Sequence, residues 1–253
     1  VDLDPALVAK VVVAGIAFGL CALVFAELTH GLKRLFAKVV PWPPLRPFLG
    51  GMGVIALTYV VGSRDYLGLS LPLISASLAG AATVVAFAFA WKLLFTAVTL
   101  GSGFQGGEVT PLFVIGATLG VTLARLLGLD AELMAAVGFV AVFAAATNTP
   151  LACTIMGLEL FGVGPLIPIV IACTVAYVSS AHRSIYLSQR IDTPKGAGGS
   201  SPTRIDEAHA GRRPFLPVAA AGSSPADGAG TRPPDPPSPD RRAGAPTDPA
   251  PDG

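Results

Sequence analysis

The chain has 253 residues, of which 52% are hydrophobic and 13% are charged. Soluble domains usually carry about 25% charged residues, and the mean hydropathy of +0.66 also indicates a membrane protein. The formal net charge is +1, and no basic face with interleaved aromatic residues is present, which argues against nucleic-acid binding. The three cysteines, Cys21, Cys153 and Cys173, stand alone in apolar runs. We therefore interpret them as packing residues, not as zinc ligands or disulfide partners.

The sequence divides into two regions of different composition. Residues 1–190 are apolar and periodic, and we predict that they form a membrane domain. Residues 191–253 hold 13 of the 23 prolines and 9 of the 29 glycines, so this tail is predicted to be disordered. The chain begins without methionine or a basic leader region, and we expect it to start inside a longer protein.

The first apolar run, 11–26, predicts a spanning helix of about 25 residues that ends near His30. Gly15 and Gly19 form a small-residue step that lets a second helix approach closely. Glu27 and His30 are interpreted as markers of the membrane interface. The basic, proline-rich stretch 33–47 is predicted to be a cytoplasmic interfacial loop.

Several later apolar segments are short for a membrane span. Residues 48–61 precede a polar loop at 62–72, and a long helix is predicted at 78–100 with Lys92 in its middle. That lysine either reaches the interface or pairs inside the protein. Helices are then predicted at 111–127, 132–146, 150–160 and 165–179, followed by a short amphipathic helix or turn at 184–190. Short helices broken by glycine and proline are typical of transporters, which build substrate sites from half-helices.

The glycine-rich stretch Gly101-Ser102-Gly103-Phe104-Gln105-Gly106-Gly107-Glu108-Val109-Thr110-Pro111 carries the functional hypothesis. Its four glycines permit an irregular linker, Thr110 is a good N-cap, and Pro111 suits the first helical position. A helix that starts inside the membrane presents free N–H groups and partial positive charge to an anion. The alternative is an ordinary glycine-rich loop between two spans.

The stretch 106–111 resembles the second-half signature of the CLC chloride channel and transporter family, in which a glycine pair precedes an x-Phe-x-Pro step. The similarity continues through 115–120, 138–143 and 147–154, and to Glu159, and it covers about residues 6–190. The variant Gly-Gly-Glu-Val-Thr-Pro looks like the fluoride/proton antiporter branch, CLC-F. The resemblance implies an all-α polytopic fold with short, broken and half-spanning helices.

The resemblance also implies a set of site residues. The anion would be bound at Gly106, Gly107, Glu108, Val109 and Thr110, with the N–H groups of Glu108 and Val109 facing it. Family members add a tyrosine hydroxyl from the last short helix, and Tyr186 matches that position; by its spacing alone it would be an aromatic interface anchor. A protonated Glu108 could donate a hydrogen bond to fluoride and link proton and anion movement.

The resemblance implies secondary transport of fluoride or chloride with protons, in a cell membrane such as the bacterial inner membrane. No enzymatic activity, metal or organic cofactor is implied, and a complete protein would be a homodimer. The first inverted-repeat half of the family fold is absent from the sequence, so we expect half of a pore. The chain could be a fragment, one half of a split transporter or a decayed sequence. A chloride-selective CLC protein and a non-transporting remnant or assembly partner are the alternatives.

Overall fold

The computed structural model describes residues 4–180, residue 185 and the backbone of two short strands. Eight α-helices form the described chain, and their bounds are α1 Pro5–Val39, α2 Leu45–Val61, α3 Leu71–Leu78, α4 Ala88–Gly101, α5 Val109–Leu127, α6 Ala131–Thr147, α7 Pro150–Phe161 and α8 Leu166–Ser179. Strand β1, Arg190–Ile191, pairs antiparallel with β2, Thr203–Arg204. The predicted all-α membrane fold is confirmed, apart from this two-residue pairing. Most of the predicted tail, 191–253, lies outside the described residues.

The centre of the fold is the pair α5 and α6. A short turn joins the two helices: Gly128 closes α5 in the left-handed conformation, and the Asp130 side chain accepts a hydrogen bond of 2.7 Å from the Leu133 N–H to cap α6. Where the helices cross, a Cβ atom added to Gly116 would collide with the Gly138 carbonyl. The two backbones therefore touch directly, and 13 of the 17 residues of α6 are buried.

Helices α1 and α8 pack around this centre and against each other. A Cβ atom at Gly15 would meet Val175 and Ala172, and one at Gly19 would meet α8 residues near Ala176. The predicted close helix approach at Gly15 and Gly19 is therefore confirmed.

Two helices, Pro5–Val39 and Val109–Leu127, are long and apolar enough to cross a membrane, and five shorter apolar helices accompany them. Large apolar side chains remain exposed along several helices, among them Val13, Leu20 and Val24 of α1, Tyr59 and Val60 of α2, and Leu151 and Ile155 of α7. Apolar surface of this extent suits contact with lipid.

Two predicted elements differ from the structure. The basic stretch 33–47 is helical as far as Val39, because lysine and arginine are good helix formers and the first proline comes only at Pro41. The predicted helix 78–100 is shorter than expected, because residues 79–87 form turns and α4 begins only at Ala88, while a helix that was not predicted, α3, ends at Leu78. The guanidinium of Arg125 donates to the carbonyls of Val84, Ala81 and Ala82 in this interruption, at 2.7, 3.2 and 3.1 Å, and so satisfies oxygens that a continuous helix would have bonded internally.

Candidate functional site

The glycine-rich stretch lies between α4 and α5, as predicted, and breaks the chain between two apolar helices. After Gly101, the Ser102 N–H bonds to the Val98 carbonyl at 3.0 Å, and the Ser102 hydroxyl donates to the Thr99 carbonyl at 2.9 Å. Gly103 follows with φ +99°, a conformation that side chains strongly disfavour. Residues 104–107 then run without regular structure to α5. We call residues 101–108 the break.

Helices α1 and α2 hold the break from two sides. A Cβ atom at Gly101 would lie 2.5 Å from Leu32 Cβ and 3.3 Å from the Lys33 nitrogen of α1. A Cβ atom at Gly50 of α2 would collide with the buried Ser102 side chain. Both glycines therefore permit approaches that any larger residue would prevent, and these approaches fix the end of α4.

Helix α5 begins two residues earlier than predicted. Glu108 has helical dihedrals and is the N-cap, and its carbonyl accepts the Leu112 N–H at 3.3 Å. Thr110 is therefore not the N-cap, and Pro111 is the third helical residue. Proline is tolerated there because the first N–H groups of a helix have no intrahelical acceptor. No side chain caps this end, so the N-terminus of α5 keeps the partial positive charge of an uncapped helix.

Glu108 is half-buried at this helix N-terminus. The carboxyl interacts electrostatically with His30 and Lys33 on α1. The two α1 residues were not part of the predicted site. Because α1 continues past His30, Lys33 follows it after about one turn and both act on the same carboxyl.

A mostly apolar cavity of about 590 Å³ adjoins the start of α5. Gly106, Gly107 and Thr110 line it, together with Thr96 and Thr99 of α4 and the loop from Tyr66 to Leu69. The structure therefore brings three of the predicted site residues to one cavity. Glu108 and Val109 lie beside them in the chain but do not line this cavity.

Lys92 is buried behind the loop that forms one wall of this cavity. Its ammonium donates to the Tyr66 carbonyl at 3.1 Å, the Gly68 carbonyl at 2.6 Å and the Ser70 hydroxyl at 2.8 Å. Of the two alternatives from the sequence, pairing inside the protein is therefore the one observed, although the partners are neutral oxygens.

Tyr186 lies outside the described residues. Its neighbour Ile185 is buried, and the Ile185 N–H donates to the Ala146 carbonyl at 3.1 Å. The chain immediately before Tyr186 is thus attached to the C-terminal end of α6.

Comparison with known proteins gives a consistent result. The family model described as voltage gated chloride channel matches residues 1–181. A chloride/fluoride channel protein from Pseudomonas syringae pv. tomato is 45% identical over 196 residues, which is 74% of this chain and 42% of the relative. The voltage-gated ClC-type chloride channel ClcB of Escherichia coli strain K12 is 33% identical, over 70% of this chain and 45% of the relative.

Among solved structures, a CLC-type fluoride/proton antiporter superposes with a TM-score of 0.70 at 41% identity. The match covers 74% of this chain and 47% of the antiporter chain. The chain therefore spans less than half the length of each of these relatives. By sequence and by fold, the chain belongs to the voltage gated chloride channel family, the CLC family.

Proposed function

We propose that this chain supplies the second half of an anion pathway of the CLC type and that the complete pathway exchanges fluoride for protons across a membrane. The uncapped N-terminus of α5 at the break carries this proposal. Two relatives support the choice of ion, since one is described as a chloride/fluoride channel protein and the other as a fluoride/proton antiporter.

The start of α5 offers an anion hydrogen bonds without a full positive charge. The N–H groups of Glu108 and Val109 precede the first complete turn of α5 and have no acceptor within the helix. In an apolar surrounding, such groups and the helix dipole attract an anion. An anion held this way can still be released, which transport requires.

Glu108 distinguishes this site from a simple chloride site. A carboxylate beside an anion path repels the anion when ionised and donates a hydrogen bond when protonated. Fluoride is a strong hydrogen-bond acceptor, so a protonated Glu108 would bind it well. Anion binding and the protonation state of Glu108 would therefore depend on each other.

The other site residues, the oligomeric state, the membrane and the substrates belong to the same proposal. Gly106, Gly107 and Thr110 would line the anion path, and Tyr186 would contribute its hydroxyl. The complete protein would be a homodimer in a bacterial inner membrane. Its substrates would be fluoride and protons, and it would need no organic cofactor.

Ion selectivity is tested by co-expressing the full chain with the N-terminal half of the Pseudomonas syringae relative and reconstituting the pair in liposomes. Ion-selective electrodes measure fluoride and chloride efflux under an imposed proton gradient. We expect fluoride efflux that exceeds chloride efflux and moves protons in the opposite direction. Equal chloride flux would favour a chloride-selective protein, and no flux with an assembled pair would favour a non-transporting membrane protein.

The role of Glu108 is tested in the same pair with Glu108→Ala. Removing the carboxyl abolishes a proton carrier, and we expect proton-coupled fluoride efflux to fall by at least about tenfold, while membrane insertion stays the same. Glu159→Ala is the matched control, because Glu159 is an exposed carboxylate on α7, away from the break. Unchanged coupled efflux in Glu108→Ala would contradict the proposed role.

A further inference from the structure

One face of α1 stays open from the apolar part of the helix to its basic end. The other side of the last turns is packed, since Leu32 contacts Gly101 of the break. Residues that recur every three or four positions lie on one face of a helix. We call the following set of α1 residues the open face: Val13, Ile16, Leu20, Val24, Gly31, Arg34 and Lys38. A Cβ atom added to Gly31 would meet nothing within 4 Å.

The open face changes from apolar to basic along the helix. Its first four members are exposed apolar side chains, and its last two are the exposed cations Arg34 and Lys38. At a rise of about 1.5 Å per residue, Leu20 and Arg34 lie about 21 Å apart along the helix axis. Half of a bilayer, with its headgroups, is also about 20–22 Å thick. The open face therefore matches the length of a single phospholipid.

The charge at the basic end fits an anionic headgroup. No aspartate or glutamate occurs between Glu27 and Asp65, whereas that stretch holds five lysines and arginines. The Arg34 Nε donates to the His30 carbonyl at 3.3 Å, which holds the guanidinium along the helix and leaves its other N–H donors for a further acceptor. Within residues 4–180, neither Arg34 nor Lys38 forms an ion pair. Phosphate oxygens of a lipid would supply the missing negative charge.

The segment after α1 also has the character of a membrane surface. Arg46 donates to the Val40 carbonyl at 2.8 Å and to the Pro41 carbonyl at 3.4 Å, which fixes the turn at the end of the helix. Trp42 in this turn is 65% exposed, and tryptophan favours the level of the headgroups. Glu27, one turn before Gly31, is half-buried and has a partner of its own.

We propose that the open face of α1 binds one anionic phospholipid. Its phosphate accepts hydrogen bonds from Arg34 and Lys38, its acyl chains lie on Leu20 and Val24, and Gly31 leaves room for the headgroup between these two parts. A bound lipid of this kind would support the end of α1 that packs against the break. The inference does not depend on the proposed function, because lipid binding can be measured without transport.

The test measures which lipid lies beside Trp42 in the full chain. Trp91→Phe removes the other of the two tryptophans. The chain is reconstituted in vesicles of equal parts phosphatidylcholine and phosphatidylglycerol, and one or the other lipid is brominated close to its headgroup so that it quenches tryptophan fluorescence. We expect stronger quenching by brominated phosphatidylglycerol, corresponding to at least about threefold enrichment of that lipid beside Trp42.

Removing the two cations of the open face should abolish this preference. In Arg34→Gln with Lys38→Gln, we expect the enrichment to fall to about one, because the apolar contacts remain but the phosphate loses its donors. Quenching by brominated phosphatidylcholine shows in the same samples that Trp42 is still at the membrane surface, so a misplaced helix is distinguished from a lost lipid preference.

The matched control removes two cations from the other side of the domain, in Lys10→Gln with Arg64→Gln. Lys10 lies near the start of α1, and Arg64 lies in the loop that follows α2. The start of α2 packs at the end of α4, whereas the loop after α2 is bound by Lys92 in the first half of α4. Arg64 is therefore remote from the basic end of α1, and this control should keep the enrichment.

Three results would overturn the proposal. They are equal quenching by the two brominated lipids in the unsubstituted open face, an enrichment that survives Arg34→Gln with Lys38→Gln, and an equal loss in the control pair, which would assign the effect to overall charge. Inorganic phosphate serves as a soluble competitor, and we expect it to act no more strongly than sodium chloride of the same ionic strength. A stronger effect would identify a site for soluble phosphate and would also contradict the assignment to a lipid.

Discussion

The Lys92 ammonium group holds the loop between α2 and α3 through hydrogen bonds. Lys92 is 2% exposed, and its three donors meet three oxygens from residues 66–70. Charged residues within membrane domains are rare, and they are usually paired. Here the partners are two carbonyls and a hydroxyl, so the positive charge is solvated by the loop and the loop is held by the charge. The same loop lines the cavity beside α5.

We expect Lys92→Met to destabilise the folded chain by about 2 kcal/mol, because buried oxygens lose their donors. Unfolding in increasing SDS, followed by tryptophan fluorescence, measures the change. Lys38→Met is the control, since Lys38 is exposed, and it should have almost no effect. Equal midpoints for Lys92→Met and Lys38→Met would show that the loop does not depend on the ammonium group.

At the scale of an element, Arg125 stabilises the interruption between α3 and α4. Its guanidinium binds three carbonyls of the interruption between α3 and α4. The Thr122 hydroxyl donates to the Ala86 carbonyl of the same segment at 2.8 Å. One end of α5 thus stabilises turns outside itself, while the other end carries the proposed anion site.

We expect Arg125→Gln to speed amide hydrogen exchange in residues 79–87 and to leave exchange in α6 unchanged. The shorter amide side chain cannot reach three carbonyls, which a planar guanidinium can. Hydrogen-exchange mass spectrometry of the purified chain compares the two segments. Arg64→Gln, in the exposed loop after α2, should match the wild type; similar acceleration there would argue against a specific role for Arg125.

The crossing of α5 and α6 gives a second prediction at this scale. Gly116→Ala places a methyl group against the Gly138 carbonyl, and we expect it to lower the SDS-unfolding midpoint. Gly31→Ala in α1 meets nothing within 4 Å, so it should be neutral or stabilise by about 0.5–1 kcal/mol through helix propensity. Higher SDS-unfolding midpoints for both substitutions would contradict this prediction.

The sequence predicts the break well because its signals are local. Glycines at 101, 103, 106 and 107 disfavour a continuous helix, and the error in the start of α5 is only two residues. The interruption at 79–87 is different, because the side chain that stabilises it lies 41 to 44 residues further along the chain. An apolar stretch with a single glycine, Gly80, gives no local sign of it.

The electrostatic part of the site could not be predicted for the same reason. Glu108 is visible in the sequence as an unusual carboxylate, but His30 and Lys33 belong to a distant segment. The sequence also suggested a loop where α1 continues, which separated Lys33 from the helix that carries His30. Only the packing of α1 against Gly101 joins these residues.

At the scale of the whole molecule, the described chain corresponds to less than half of each of the relatives compared. The proposed anion site would accordingly be one wall of a pathway, and the opposite wall would come from a first half.

The prediction at this scale concerns the proline-rich end of the molecule. The family model ends at residue 181, and the composition of 191–253 predicts no packed core. We expect removal of 196–253 to leave membrane insertion and fluoride efflux of the co-expressed pair unchanged. Fractionation and electrode measurements test both, and a large loss of either would assign the tail a role.

The backbone contact between Gly116 and Gly138 has a mechanical consequence. Because no side chains separate α5 from α6 at that point, each helix backbone directly limits the movement of the other, and we expect the two helices to move together. We then expect any motion at the proposed anion site to be taken up by residues 103–107, beyond the anchored Ser102, where three glycines give the backbone more freedom. The segment expected to move and the helix pair expected to stay rigid would then be adjacent parts of the same chain.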